Sequence, residues 1–200
     1  MILFKKILKW TVIVLVGLFI LAEIIRLPFR LKEEKTVEQV AKIHNTKLQL
    51  SDVMGENLPP DPGAEADKTV QGIDANTNGI RDDVELAIFK EYPNSAKTRA
   101  VLLQYALALQ MQVIQPIINK DTVTEVVREQ SRAFVCIGDI VSRENSRKFD
   151  EETNFLTDFI KQRQLNTEER KNSRNSFLEY ISSYNSLERT CDIDYSTLPN

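Results

Sequence analysis

Asp74, Asn76, Asn78, Asp82 and Glu85 place oxygen-bearing side chains at positions 1, 3, 5, 9 and 12 of the dodecapeptide Asp74–Glu85, and Gly79 stands at position 6. The donors are all oxygen, and three of them carry a formal negative charge. That chemistry suits a hard divalent cation, above all Ca²⁺, which takes six to eight oxygens at about 2.3–2.6 Å and tolerates uneven geometry. Alternation of Asp74, Asn76 and Asn78 lets a coiled backbone aim all three at one centre. Gly79 has no Cβ to oppose the sharp turn that folds the second half of the loop back. The main-chain carbonyl of Ile80 falls at position 7. Asp82 fits the position that often binds through water, and Glu85 the position where both carboxylate oxygens bind. Asp83 lies between ligand positions and is read as capping or solvating the next helix.

These residues resemble the calcium loops of EF-hand, dockerin and thrombospondin type 3 proteins. They are most similar to a bacterial extracytoplasmic variant in which Asp-x-Asn-x-Asn-Gly-Ile precedes Arg-Asp-Asp-Val-Glu. The run from Leu58 through Gly72-Ile73 also resembles bacterial exported proteins that carry this loop. The resemblance covers Leu58 to Tyr92, and implies Ca²⁺ as cofactor but no activity. The chain departs from a paired EF-hand in two respects. Three prolines and two glycines between residues 59 and 72 leave no regular entering helix, and position 8, normally aliphatic for pairing, is Arg81. No second loop is found. A lone loop of this charge suits a calcium-rich environment, with Kd on the order of 10⁻⁴–10⁻³ M. The competing reading is an Asn/Asp-rich bend that merely caps the following helix.

The N-terminus speaks to compartment. Lys5, Lys6 and Lys9 precede Trp10 to Ala22, a stretch without charge, and Pro28 closes the apolar run. Either a cleaved signal peptide or an uncleaved anchor over 7–27 accounts for it. The anchor is preferred because Ile20 makes a poor small-residue cleavage site before a cut after Ala22. Arg26, Arg30, Lys32 and Lys35 nearly balance the basic N-terminal residues, so the positive-inside rule alone does not orient the segment. A weak calcium site and the cysteines both favour the exterior. The expected arrangement is a cytoplasmic tail (1–6), an anchor in the inner membrane and the remainder in the periplasm or outside.

Six of the 26 Lys/Arg and one of the 29 Asp/Glu lie in the first thirty-two residues, which leaves the rest at net charge −8. That excess argues against nucleic acid, which needs a basic footprint. Residues 28–57 read as a stalk in which Thr36 and Gln39 form a capping-box pattern before a short amphipathic helix, Thr36 to Ile43. Leu48 to Met54 gives a poor signal, extended or loop, and 58–73 reads as a linker. From the loop onward, 74–200, the pattern is helical. Asp82, Asp83 and Glu85 favour a helix start by charge, and Pro93 ends that helix. Ala96 to Ile114 carries apolar groups on all sides and should be the buried central helix. Asp121 to Val141 aligns Val123, Val127, Phe134 and Val141. Phe149 to Ile160 turns Leu156, Phe159 and Ile160 inward, and Thr167 to about Leu187 aligns Phe177, Ile181 and Tyr184. The expected fold is all-α: a membrane helix, a linker with one calcium loop, then an antiparallel helical bundle.

Cys136 and Cys191 are the only cysteines. In an exported chain they should pair, stapling the C-terminal end onto the core and contributing about 4 kcal/mol by chain entropy before strain. Catalytic patterns are scarce. His44 is the sole histidine and reads as a surface residue, which excludes paired-histidine zinc motifs and disfavours a histidine-centred triad. Asp150-Glu151-Glu152 and Glu168-Glu169 stand at helix starts, where acids are routine, and Arg170, Lys171 and Arg174 read as solvated surface. The expectation is a non-enzymatic, membrane-anchored calcium-binding module, with an envelope protein as a possible partner. An anchored enzyme or enzyme accessory with an unrecognised Ser, Lys or carboxylate site is the alternative, and a purely structural scaffold a third.

Overall fold

A computed structural model describes residues 2–181 and 191–199. Among them the structure is all-helical: α1 (Ile2–Asn45), α2 (Leu50–Met54), α3 (Asp82–Glu91), α4 (Ala96–Ile114), α5 (Lys120–Ile140), α6 (Ser146–Gln164) and α7 (Glu168–Leu178). Two short 3₁₀ turns, Gly63–Asp67 and Tyr195–Thr197, complete it. Of the expected last helix, Glu168–Leu178 is present, while Tyr184 and Leu187 lie outside the described residues.

The chain forms two compact units, Met1–Gln39 and Val40–Asn200. The first is the greater part of α1. Its most apolar window has a mean hydropathy of 2.4 and buries nothing within the chain, so this helix is long and apolar enough to cross a membrane. As a membrane anchor or a signal sequence it needs no protein partner for its side chains. Pro28 is accommodated inside the helix. The separate amphipathic helix expected at Thr36 is absent because α1 is already formed upstream. The Thr36 hydroxyl therefore donates to the Lys32 carbonyl at 2.8 Å instead of capping a new start.

The second unit begins well before the calcium-type loop. Ile43, Leu48 and Val53 are buried in the same apolar cluster as α4, so residues 40–57 belong to the bundle rather than to a stalk. The poorly signalled stretch after Leu48 is the helix α2, closed by Gly55 at φ 75°, a left-handed conformation that glycine adopts without Cβ strain. Nor is 58–73 a free spacer. Ala66 is buried, and the carbonyls of Ala66, Thr69 and Val70 all accept hydrogen bonds from the Arg170 guanidinium. Prolines and glycines prevent an α-helix there, and carbonyls that a helix would have paired are satisfied mainly by a side chain.

Helix α4 is the axis of this unit, buried almost throughout and packed on by α2, α3, α5, α6 and α7. Its apolar groups surround it because its neighbours do. Local sequence starts α4 and the three helices that follow it. Ser95 accepts from Thr98 N at 3.2 Å, Asn119 from Thr122 N at 3.1 Å, Asn145 from Lys148 N at 3.1 Å and Thr167 from Arg170 N at 3.3 Å. Phe159, Ile160 and Phe177 face inward as the periodicity implies, whereas Phe134 (45 % exposed) and Ile181 (38 %) do not. On α5 Val123 and Val127 are buried as expected, as is Val141 just beyond it, and Val126, Ala133, Cys136 and Ile137 complete the inward stripe.

Cys136 and Cys191 form a disulfide. It delivers Asp192 into a charged cluster: Arg132 Nη1 bonds Asp192 Oδ1 at 2.6 Å, Arg132 also pairs with Glu129, and Lys47 Nζ reaches Glu129 Oε1 at 3.0 Å. The second Asp192 oxygen accepts the Leu48 amide at 3.0 Å. The C-terminal end is thus tied both to α5 and to the start of the second unit.

Candidate metal centre

The loop between the 3₁₀ turn and α3 is built by its own side-chain oxygens. Asp74 Oδ1 accepts the Asn78 amide at 3.1 Å, and Asp74 Oδ2 the Gly79 amide at 2.9 Å. Asn78 Oδ1 accepts the Ile80 amide at 2.9 Å, and Asn76 Oδ1 makes a longer contact, 3.4 Å, with Asn78 N. Each such bond uses one lone pair and holds the oxygen in place with another still available. Thr77 and Gly79 take the positive φ values, 59° and 86°, that the coil demands. A Cβ on Gly79 would lie 2.7 Å from Leu107 Cδ1, so α4 itself enforces the glycine. Ile80, fully buried, anchors the turn in the core. The loop closes where Asp82 N donates to the Ile73 carbonyl at 2.9 Å.

Glu85 comes from the first turn of α3 and is 1 % exposed. Its Oε2 accepts the side-chain amides of Asn76 at 3.0 Å and Asn78 at 3.1 Å. Asn78 therefore touches both Asp74, through its backbone, and Glu85, through its side chain. Burial pushes the Glu85 carboxyl up to about 7; the two amide donors oppose that rise, and the nearby charges of Asp52 and Asp82 add to it. Asp82, with no exposed surface, is also raised by burial, against the pull of the Ala75 amide, which donates to its Oδ1 at 3.0 Å and Oδ2 at 3.2 Å. It clasps the backbone of the loop rather than standing open at position 9.

No Lys, Arg or His among the described residues lies within 4.0 Å of the carboxylates of Asp52, Asp74, Asp82 or Glu85. A buried carboxylate without a positive partner is costly when ionised. Donor chemistry and charge thus fit a cation. No three Asp, Glu, His or Cys side chains among the described residues converge tightly enough to hold an ion by themselves. A cation here would rest partly on the neutral oxygens of Asn76, Asn78 and the main chain.

Sequence reasoning missed the framework around the loop. Arg81 at position 8 is fully buried: its guanidinium grips Asp83 at 2.9 and 2.5 Å and reaches the Gln164 carbonyl at 3.2 Å. Asp83 is thus Arg81's partner rather than a solvated cap. Arg170, expected on the surface, is likewise buried, with Asp67 Oδ1 at 2.5 Å and Asn166 Oδ1 at 2.6 Å completing its partners. The Arg170 bond holds the Asp67 carboxyl below its usual range, helped by Asn166. Arg174 bonds Gln112 Oε1 at 2.8 Å, and only Lys171 of that run is solvated. No local pattern marks the burial of these arginines, because each also needs acceptors that lie 62 to 104 residues away.

Elsewhere, His44 Nε2 lies 3.0 Å from Glu125 Oε2 on the exterior, and Asp150, Glu151, Glu152, Glu168 and Glu169 are all exposed. No protein-family model, curated protein or solved structure matches the chain. The reading of the site therefore rests on its own geometry.

Proposed function

We propose that the chain is a membrane-anchored, extracytoplasmic calcium-binding protein that serves as a structural or interaction module rather than an enzyme. The observation that carries this reading is the cation-free set of carboxylates, Asp82 and Glu85 buried and Asp74 half-buried, at a loop whose side-chain oxygens are pre-positioned by its own backbone amides. Asp74, Asn76, Asn78 and Glu85 would hold Ca²⁺ with the Ile80 carbonyl, while Asp82 closes the loop behind them. The ion supplies positive charge where the fold provides none. Glu85 then ionises without the penalty of burial, and α3 is joined to the loop that precedes it. The 1–6 tail faces the cytoplasm in this reading, and α1 anchors the chain in the inner membrane. The bundle lies in the periplasm, where a disulfide persists; secretion after cleavage is the alternative. An envelope protein is the expected partner class.

The test is thermal unfolding of the detergent-solubilised chain in chelator and in 10 mM Ca²⁺. For Kd between about 10⁻⁴ and 10⁻³ M, linkage gives about 1.4–2.7 kcal/mol of stabilisation at that concentration. The rise in Tm should vanish in Asp74→Ala with Glu85→Ala. An unchanged Tm in the parent chain rejects the calcium assignment.

A further inference from the structure

The Asn76 side chain reaches beyond its own loop. Its Nδ2 donates to the main-chain carbonyl of Asn57 at 2.9 Å as well as to Glu85 Oε2 at 3.0 Å. Asn57 follows α2 in the turn 55–58. That turn is held from its other side by α3, since the Gly55 Cα abuts Phe89 so closely that an added Cβ would stand 2.8 Å from the ring. Phe89 lies one helical turn beyond Glu85, so one helix carries both the carboxylate and the surface on which the turn rests.

We propose that Asn57 is a positioning residue of the calcium site: its carbonyl fixes the Asn76 amide, and ion occupancy in turn immobilises the turn 55–58. The inference rests on the calcium reading above. With Nδ2 committed to Asn57 and Glu85, the remaining Asn76 atom, Oδ1, is the one presented to the ion, and Glu85 is held by the same group. Asn76 therefore has to be an amide. Aspartate would add a formal charge, which ordinarily strengthens a calcium loop. Here it would set one carboxylate oxygen against the Asn57 carbonyl and Glu85, replacing two donor contacts with two repulsions.

Two measurements on the solubilised chain test this. Calcium titration calorimetry should show Asn76→Asp binding about tenfold more weakly than the parent, the equivalent of one lost charge-assisted hydrogen bond, although its charge is greater. Hydrogen exchange of the parent chain should show the amides of 55–58 slowed by Ca²⁺, together with those of the loop. If the parent binds Ca²⁺ while Asn76→Asp binds equally or more tightly, or 55–58 exchanges at an unchanged rate, the positioning role is overturned and the calcium reading stands. If the parent binds no Ca²⁺, both fall.

Discussion

Removing the Arg170 guanidinium should release the segment that leads into the loop, and the structure sets the size of the effect. The side chain is fully buried and makes five hydrogen bonds: to Val70 O at 3.0 Å, Thr69 O at 3.0 Å, Ala66 O at 2.5 Å, Asp67 Oδ1 at 2.5 Å and Asn166 Oδ1 at 2.6 Å. Asp67 is half-exposed, so its ion pair is screened and contributes little by itself. The three carbonyls matter more. Arg170→Met leaves the Ala66 and Val70 carbonyls without their donor, and Thr69 with only the Gly72 amide at 3.3 Å, while keeping most of the side-chain volume. A buried carbonyl left without a donor costs about 1–3 kcal/mol, so the two that lose their donor give about 3 kcal/mol. Arg170→Lys can satisfy at most part of the fork, because an ammonium lacks its planar reach, and should lose about half as much. Urea unfolding followed by circular dichroism measures the global part. Should the segment open locally instead, trypsin cleavage after the exposed Lys68 ought to accelerate about a hundredfold at an unchanged midpoint. A Met variant with both the parent midpoint and the parent cleavage rate would refute the bonding argument.

In chelator the raised carboxyl of Glu85 gives stability a pH dependence of definite sign. The folded value of about 7 exceeds the ordinary 4.5. This contribution is therefore fully present below pH 4.5 and is lost as pH rises through 7, to a total of about 3 kcal/mol. Glu85→Gln should flatten that slope in pH-dependent melts, and an equally steep slope in the variant would assign it elsewhere. Gly79→Ala should cost about 1–3 kcal/mol through its left-handed backbone and the contact with Leu107; a parent-like urea midpoint would contradict that. Alkylation should label neither cysteine before reduction. Cys136→Ser with Cys191→Ser should lower stability by about 2–4 kcal/mol, because Asp192 is then no longer held beside Arg132; an unchanged midpoint would show that the charged cluster suffices.

Periodicity and end signals carried much of the architecture. The caps at Ser95, Asn119, Asn145 and Thr167 are local chemistry that the sequence reading passed over, apart from starting the last helix at Thr167, whereas all-round apolarity identified α4 because only a helix covered on every side keeps such a pattern. The loop residues were legible for the same reason: Asp74 through Glu85 form one consecutive string, and their mutual bonds span at most nine residues. The disulfide followed from there being only two cysteines in a chain with an export-type N-terminus.

What tertiary structure alone decided lies at long range. Arg170 meets carbonyls about a hundred residues away, Arg81 meets the end of α6, and Asn57 meets Asn76 across a proline-rich turn. A solvated arginine and a buried one are written identically in sequence; only the acceptors assembled by folding make burial tolerable. The same holds for residues 40–73, which composition presents as stalk and linker. The apolar groups they bury, Ile43, Leu48, Val53 and Ala66, are too few to form a core alone and become buried because α4 and its neighbours, together with Arg170, provide the surface and donors they lack.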